Sequence, residues 1–215
     1  MGTTIVVAGT VLIVYVAAGL NWYLTFGLVG TGGTLFFLLS WFTPYQQARI
    51  TSWLDPWSDP QGKGYHLIQS LIAIGSGGLV GNGLGQSVQK LFYLPEQHTD
   101  FIFSVISEEF VFLGGFLLIM LFVSLTYRGV QIALKVPTPY LKLLAIGLTC
   151  MTTMQAWVNM AVVSGTIPTT GITLPFISFG SSSMVVNMMA MGLLLNISRY
   201  VTGKSPVTRK VRRVS

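Results

Sequence analysis

Five apolar stretches, each close to the length of a membrane crossing, dominate this sequence: Thr3 to Leu20, Trp22 to Phe42, Ile102 to Tyr127, Tyr140 to Val163 and Phe176 to Ile197. A helix needs about 20 mainly apolar residues to span the hydrocarbon core, so each is read as a transmembrane helix. Only 8% of the residues are charged, against about 25% in a soluble domain, so water is not the main solvent for this surface. The expected fold is an all-α polytopic membrane protein of about five transmembrane helices, forming one membrane domain over residues 1–215. Trp22, Tyr23, Trp41 and Tyr45 mark the ends of the second stretch, where amphipathic rings favour the interface. Gly27, Gly30, Gly32 and Gly33 inside it predict close helix approach.

Between the second and third stretches the pattern changes. Residues 44–101 are expected to form a large loop containing short interfacial helices. LDPWSDPQGKG, Leu54 to Gly64, is turn-rich, and Tyr65 to Ile74 is apolar but too short to span. Irregular backbone at membrane depth must be buried in protein or face a wet cavity, and an ordered loop of this length is usually functional. Lys and Arg set the orientation. Arg128, Lys135, Lys142, Arg199, Lys204, Arg209, Lys210, Arg212 and Arg213 fall on one side of a five-helix topology, and Arg49, Lys63 and Lys90 on the other. The basic tail, residues 198–215, is therefore expected in the cytoplasm and disordered, with loop 44–101 outside.

Other classes are disfavoured. The net charge of +6 comes without the dense basic face and interleaved aromatics of a nucleic-acid groove, so it reads as a topology and lipid-surface signal. Cys150 stands alone in an apolar run, which excludes an internal disulfide. The first apolar stretch lacks the basic flank and cleavage motif of a signal peptide.

The groups able to do acid–base chemistry gather in the loop and at the start of the third stretch. All six acidic residues lie there (Asp55, Asp59, Glu96, Asp100, Glu108 and Glu109), with both histidines, His66 and His98. Asp100 separates the polar run Glu96 to Thr99 from the apolar Phe101, Ile102 and Phe103. A carboxylate at such a boundary is partly desolvated, which strengthens it as a base. The competing role is a helix N-cap, for which Thr99 is an equal candidate. Glu108 and Glu109 are costly near a membrane boundary and are read as functional, as paired with Lys90 or Arg49, or as an exposed pair favoured by the helix dipole. Glu96 and His98 could join Asp100 around magnesium or manganese, although one loop supplies few ligands. His66 reads as an interfacial hydrogen-bonding residue. The run GSGGLVGNGLG, Gly75 to Gly85, has neither the Walker pattern nor a βαβ context. It reads as a hinge, or as a backbone nest for a diphosphate with Lys90 adding charge.

The long motif from LDPWSDPQGKGYHLIQSLIAIGSGG through LPEQHTDFIFSVISEEF, with GTIPTTGITLPFISFGSSS downstream, closely resembles the SEDS family, the FtsW, RodA and SpoVE proteins. The LDPW and QSVQK…YLPE wording is more similar to FtsW than to RodA. The resemblance implies a peptidoglycan glycosyltransferase that polymerises lipid II on the outer face of the cytoplasmic membrane, in division or cell-shape maintenance. Its implied partners are a class B penicillin-binding protein, other divisome or elongasome proteins and membrane lipid. It makes Asp100, in HTDFIF, the catalytic base. It also implies a divalent cation, and substrate contacts from Lys90, Glu96, His98, Glu108, Glu109, Ser178 and Ser182.

Three departures from the family pattern stand out. GTTIVVAG resembles the start of the family's sixth helix, so the chain reads as a fragment, a misplaced start or a shortened homologue. Val111 stands where glycine is usual in EEFGFLG, and Ser181 where glycine is usual in SFGGSS. Each is expected to crowd a helix contact at about 1 kcal/mol or more. The alternative functions are a lipid II flippase and an inactive scaffold for division proteins. A transporter would more readily carry charge near mid-membrane, whereas here the acids sit in a loop.

Overall fold

The computed structural model describes residues 2–62, 64–76, 100–109 and 111–201. Among these residues every regular element is helical: α1 (Gly2–Ala17), α2 (Trp22–Phe42), α3 (Pro44–Leu54), a 3-10 turn (Pro56–Ser58), α4 (Tyr65–Ser76), α5 (Ile102–Glu109), α6 (Val111–Lys135), α7 (Pro139–Val163) and α8 (Ser181–Val201). The breaks have local causes. Gly19 takes φ +95°, a region open to glycine. The Asn21 side chain then caps α2 by accepting from Tyr23 N–H at 3.4 Å. Pro44 and Pro139 open α3 and α7, where a missing N–H costs nothing.

Leu113–Lys135, Pro139–Val163 and Ser181–Val201 are long and apolar enough to cross a membrane. Gly2–Ala17 is apolar but shorter, and α2 runs for 21 residues of mainly apolar character from Trp22 to Phe42. Many large apolar side chains stand exposed along α1, α2, α6 and α8, as expected where lipid is the solvent. The protein is an all-α polytopic membrane protein.

Two apolar stretches are cut differently from their sequence expectation. The third is split between α5 and α6, so Glu108 and Glu109 end a separate short helix instead of opening the spanning one. The fifth helix begins at Ser181 because residues 164–180 fold as a loop. There the Leu174 N–H bonds Ser178 Oγ at 2.7 Å, and Phe176 is held at φ +67°. The same helix runs on to Val201, taking Arg199 out of the expected tail. Residues 202–215 lie outside the described residues.

Helix α7 is the hub, packing against α1, α6 and α8 and touching α4 and α5. Close approach does occur through glycine, but not where expected. Among the described residues a Cβ on Gly27, Gly30, Gly32 or Gly33 would meet nothing within 4 Å, whereas one on Gly129 of α6 would collide with the Thr149 side chain of α7. Ser181 is exposed among the described residues, and the expected crowding is not seen there. Below the loop end, Phe101, Phe103, Val105, Leu118, Phe122, Ala156, Met160, Val163 and Leu174 form a buried cluster. A second cluster of Ala133, Val136, Ala145, Leu194 and Ile197 closes the opposite end.

The turn before α4 has little slack. Gly64 is buried, and a Cβ there would collide with the Pro56 carbonyl oxygen and sit 3.0 Å from that of Asp59. Both are backbone atoms and cannot rotate away. Gly64→Ala is therefore expected to cost at least about 2 kcal/mol, seen as a lower melting temperature in detergent. An unchanged melting temperature would mean that this turn is not held as described.

Candidate functional site

Irregular backbone near a membrane must find internal hydrogen-bond partners, and the loop after α7 finds them in side chains. Ser70 Oγ donates to the Val163 carbonyl at 2.7 Å. Trp53 Nε1 donates to Gly165 at 2.7 Å, and Arg49 Nη1 to Thr169 at 2.8 Å. Asn159 Nδ2 donates to Ile172 at 2.6 Å, and Gln155 Nε2 to Thr173 at 3.1 Å. Five donors from α3, α4 and α7 thus fix five carbonyls of α7's last turn and the loop. Gln155 also reaches Ser183 Oγ at 3.4 Å, and the Thr173 hydroxyl donates to the same oxygen at 3.3 Å, which ties the loop to α8.

Asp100 is brought against this braced loop. It lies two residues ahead of α5, with Phe101 between, so it is not the residue adjoining the helix that the N-cap role requires. Its backbone carbonyl accepts from the same Asn159 Nδ2, at 2.8 Å. One buried amide, 2% exposed, thereby joins Asp100 to Ile172. These two bonds fix the amide's orientation, since a flipped amide would set its oxygen against two carbonyl oxygens. On the side-chain side, Asp100 Oδ2 lies 3.5 Å from where a Gly171 Cβ would stand, and Gly171 has φ +68°. The absent side chain and the left-handed backbone together bring the loop's main chain up to the carboxylate.

A cleft of about 160 Å³ opens here, with Arg49, His66, Asp100, Asn159, Thr169 and Gly171 in its wall. The His66 ring stacks on Phe101 with centroids 5.9 Å apart and an 11° interplanar angle. Its Nδ1 is buried without a hydrogen-bond partner among the described residues, so the expected hydrogen-bonding role is not seen at that atom. Arg49 lies over the Tyr45 ring, 4.7 Å from its centroid.

The expected site residues divide into three groups. Asp100 lines the cleft. Ser178 is buried in the 174–178 turn with its hydroxyl accepting from Leu174 N–H, Ser182 is exposed on the first turn of α8, and neither lines the cleft. Lys90, Glu96 and His98 lie outside the described residues, as do the side chains of Glu108 and Glu109. Arg49 and Asn159 join the site although the sequence did not mark them for it. Of the expected cation ligands only Asp100 lies among the described residues, and no group of three His, Cys, Asp or Glu occurs among those.

The Cell cycle protein family model of FtsW, RodA and SpoVE matches residues 1–203. Stage V sporulation protein E of Bacillus subtilis (strain 168) is 50% identical over 202 residues, covering 93% of this chain and 55% of that protein. The probable peptidoglycan glycosyltransferase FtsW of Geobacter metallireducens is 40% identical over 203 residues, covering 94% of this chain and 54% of that protein. A chain in a solved peptidoglycan synthase complex, described for its coordination of polymerization and crosslinking, superposes with a TM-score of 0.73 at 35% identity, over 93% of this chain and 55% of that one. The chain spans about half the length of the curated relatives it matches.

Proposed function

Because the chain belongs to the FtsW, RodA and SpoVE family, we propose that its Asp100 cleft is the polymerisation site of a peptidoglycan glycosyltransferase acting on lipid II. The observation that carries this reading is the seating of the Asp100 carboxyl in a cleft against Gly171, with its backbone tied to α7. In the proposed step the Asp100 carboxylate takes the proton from an acceptor sugar hydroxyl. The freed oxygen bonds to the donor sugar's anomeric carbon. The bond from that carbon to the diphosphate oxygen breaks, and the electron pair leaves with the lipid diphosphate. The names of the relatives, a probable peptidoglycan glycosyltransferase and a chain of a peptidoglycan synthase complex, support this chemistry and a penicillin-binding partner. The test is polymerisation of lipid II by membranes carrying the chain with a class B penicillin-binding protein. The chain is used as it stands and also fused behind the N-terminal half of the Bacillus subtilis relative, with Asp100 intact or replaced by Asn.

The reading requires the cleft to face outward, and the charge distribution supports this. Arg128 and Lys135 lie in the C-terminal part of α6, Lys142 near the start of α7 and Arg199 near the end of α8, all at the end of the bundle away from Asn159. The 17 positions from Lys142 to Asn159, at about 1.5 Å each, separate them by about 26 Å. That is close to the hydrocarbon thickness, so the cationic end is assigned to the cytoplasm. In a Cys150→Ser background, Ser164→Cys on the exposed loop is expected to react with a membrane-impermeant maleimide on intact cells. Thr138→Cys is expected to react only after permeabilisation, and the reverse pattern would place the cleft inside.

A further inference from the structure

We infer that Arg49 is an oxyanion subsite in the Asp100 cleft, taking the diphosphate of a lipid-linked glycosyl donor, an inference that rests on the glycosyl-transfer reading above. Arg49 is half-buried on α3 and lines the cleft with Asp100. Its Nη1 donates to the Thr169 carbonyl at 2.8 Å and its Nη2 to the Tyr45 hydroxyl, while its plane rests near the Tyr45 ring. A guanidinium carries five N–H donors and stays charged. These contacts spend two donors and hold the group in place. Both acceptors are neutral, so the cation is positioned without being neutralised by them. A pre-oriented fork of this kind matches phosphate oxygens, and the resulting charge-assisted bonds are about twice as strong as neutral ones.

The placement suits the reaction. Proton removal needs the carboxylate of Asp100, and bond cleavage needs a group that accepts negative charge on the departing oxygen. Arg49 and Asp100 reach the cleft from different elements, α3 and the segment before α5, so the two charges are held independently. As the anomeric carbon–oxygen bond breaks, the electron pair passes to the diphosphate oxygen, and the Arg49 N–H groups not engaged by described residues receive that charge. Gly171, which lines the same cleft, puts no side chain against the carboxylate. The competing role for Arg49 is a strut between α3 and the loop after α7.

The test is equilibrium binding of a polyprenyl diphosphate, and separately of inorganic pyrophosphate, to the full chain in detergent. Arg49→Gln is expected to weaken both by about ten- to a hundredfold, and Arg49→Lys by less. Phosphatidylglycerol nanodiscs should bind all three forms equally. Equal diphosphate affinity across the forms would leave Arg49 a strut, and a parallel loss toward phosphatidylglycerol would make the site one for lipid headgroups. Either result overturns the proposal. Should Arg49→Gln fail to fold, native protein decides: pyrophosphate must protect Arg49 from an arginine-specific dicarbonyl, read by mass spectrometry, and absent protection overturns the subsite. None of these readouts needs turnover. Binding through Arg49 without polymerisation would sink the glycosyltransferase reading alone, and polymerisation with unchanged diphosphate affinity in Arg49→Gln would sink the subsite alone.

Discussion

Asp100→Asn is expected to lower lipid II polymerisation by about 10²–10⁴-fold, the usual share of a positioned general base, with the fold intact. One hold on the residue is untouched by the change. The bond from Asn159 reaches the main-chain carbonyl of Asp100, which the substitution leaves in place. Phe101 remains buried and stacked on His66. The carboxyl lies beside Gly171, where even an added Cβ would stand 3.5 Å from Oδ2, so an amide of the same size fits on that side. What is lost is the ability to accept a proton, because an amide is not a base near neutral pH. Melting temperature and expression in membranes should match the parent. Asp100→Glu keeps the base but moves it by one methylene, and is expected to fall between the two. Polymerisation by Asp100→Asn within about threefold of the parent, with an unchanged melting temperature, would remove Asp100 from the chemistry.

The sequence made the membrane class plain because the solvent is written into composition. Apolar runs of spanning length are a local signal, and the break expected between Leu20 and Trp22 appears as the boundary at Asn21. The split between α5 and α6 was not legible. From Ile102 to Tyr127 the apolar pattern reads straight through, while the short α5 is held by tertiary contacts with α4 and α6. Phe103 is buried in the core cluster, and Ser107 Oγ lies 2.9 Å from where a Gly115 Cβ would stand. The glycines of α2 misled for a related reason. Small residues permit close approach but do not supply the neighbour, and the neighbour found was Thr149 at Gly129.

For the site, Asp100 was legible because a lone carboxylate between a polar run and a helix start is conspicuous. Arg49, His66 and Asn159 were not, since the fold assembles them from α3, α4 and α7. A signal for Asn159 did exist. Gln155 and Asn159 are four apart and so share one face of α7, and polar side chains inside a spanning helix are costly unless partnered. The loop carbonyls of Ile172 and Thr173 are those partners. A polar pair in an apolar run is thus a pointer to irregular backbone nearby.

That amide carries the second large effect. Asn159→Leu, similar in size, should leave the Asp100 and Ile172 carbonyls without their side-chain donor. Each buried unsatisfied group costs about 1–3 kcal/mol, so a loss of about 2–5 kcal/mol is expected. Hydrogen bonds between helices in lipid average only about 0.6 kcal/mol, because chains unfolded in the membrane find other partners. The larger figure is favoured here because the acceptors are irregular backbone, with no helical ladder to fall back on. Asn159→Asp separates packing from polarity. It preserves shape still better, yet replaces two donors with a carboxylate facing two carbonyl oxygens in a buried position. If Asn159 only fills space, Asp should be tolerated better than Leu. If its donors hold Asp100 to the loop, Asp should be the worse substitution in melting temperature, and both variants should lose polymerisation beyond what their residual folded fraction explains. The order of the two melting temperatures decides the matter, and Asp melting at or above Leu would show that the amide does not tether the carboxylate's segment.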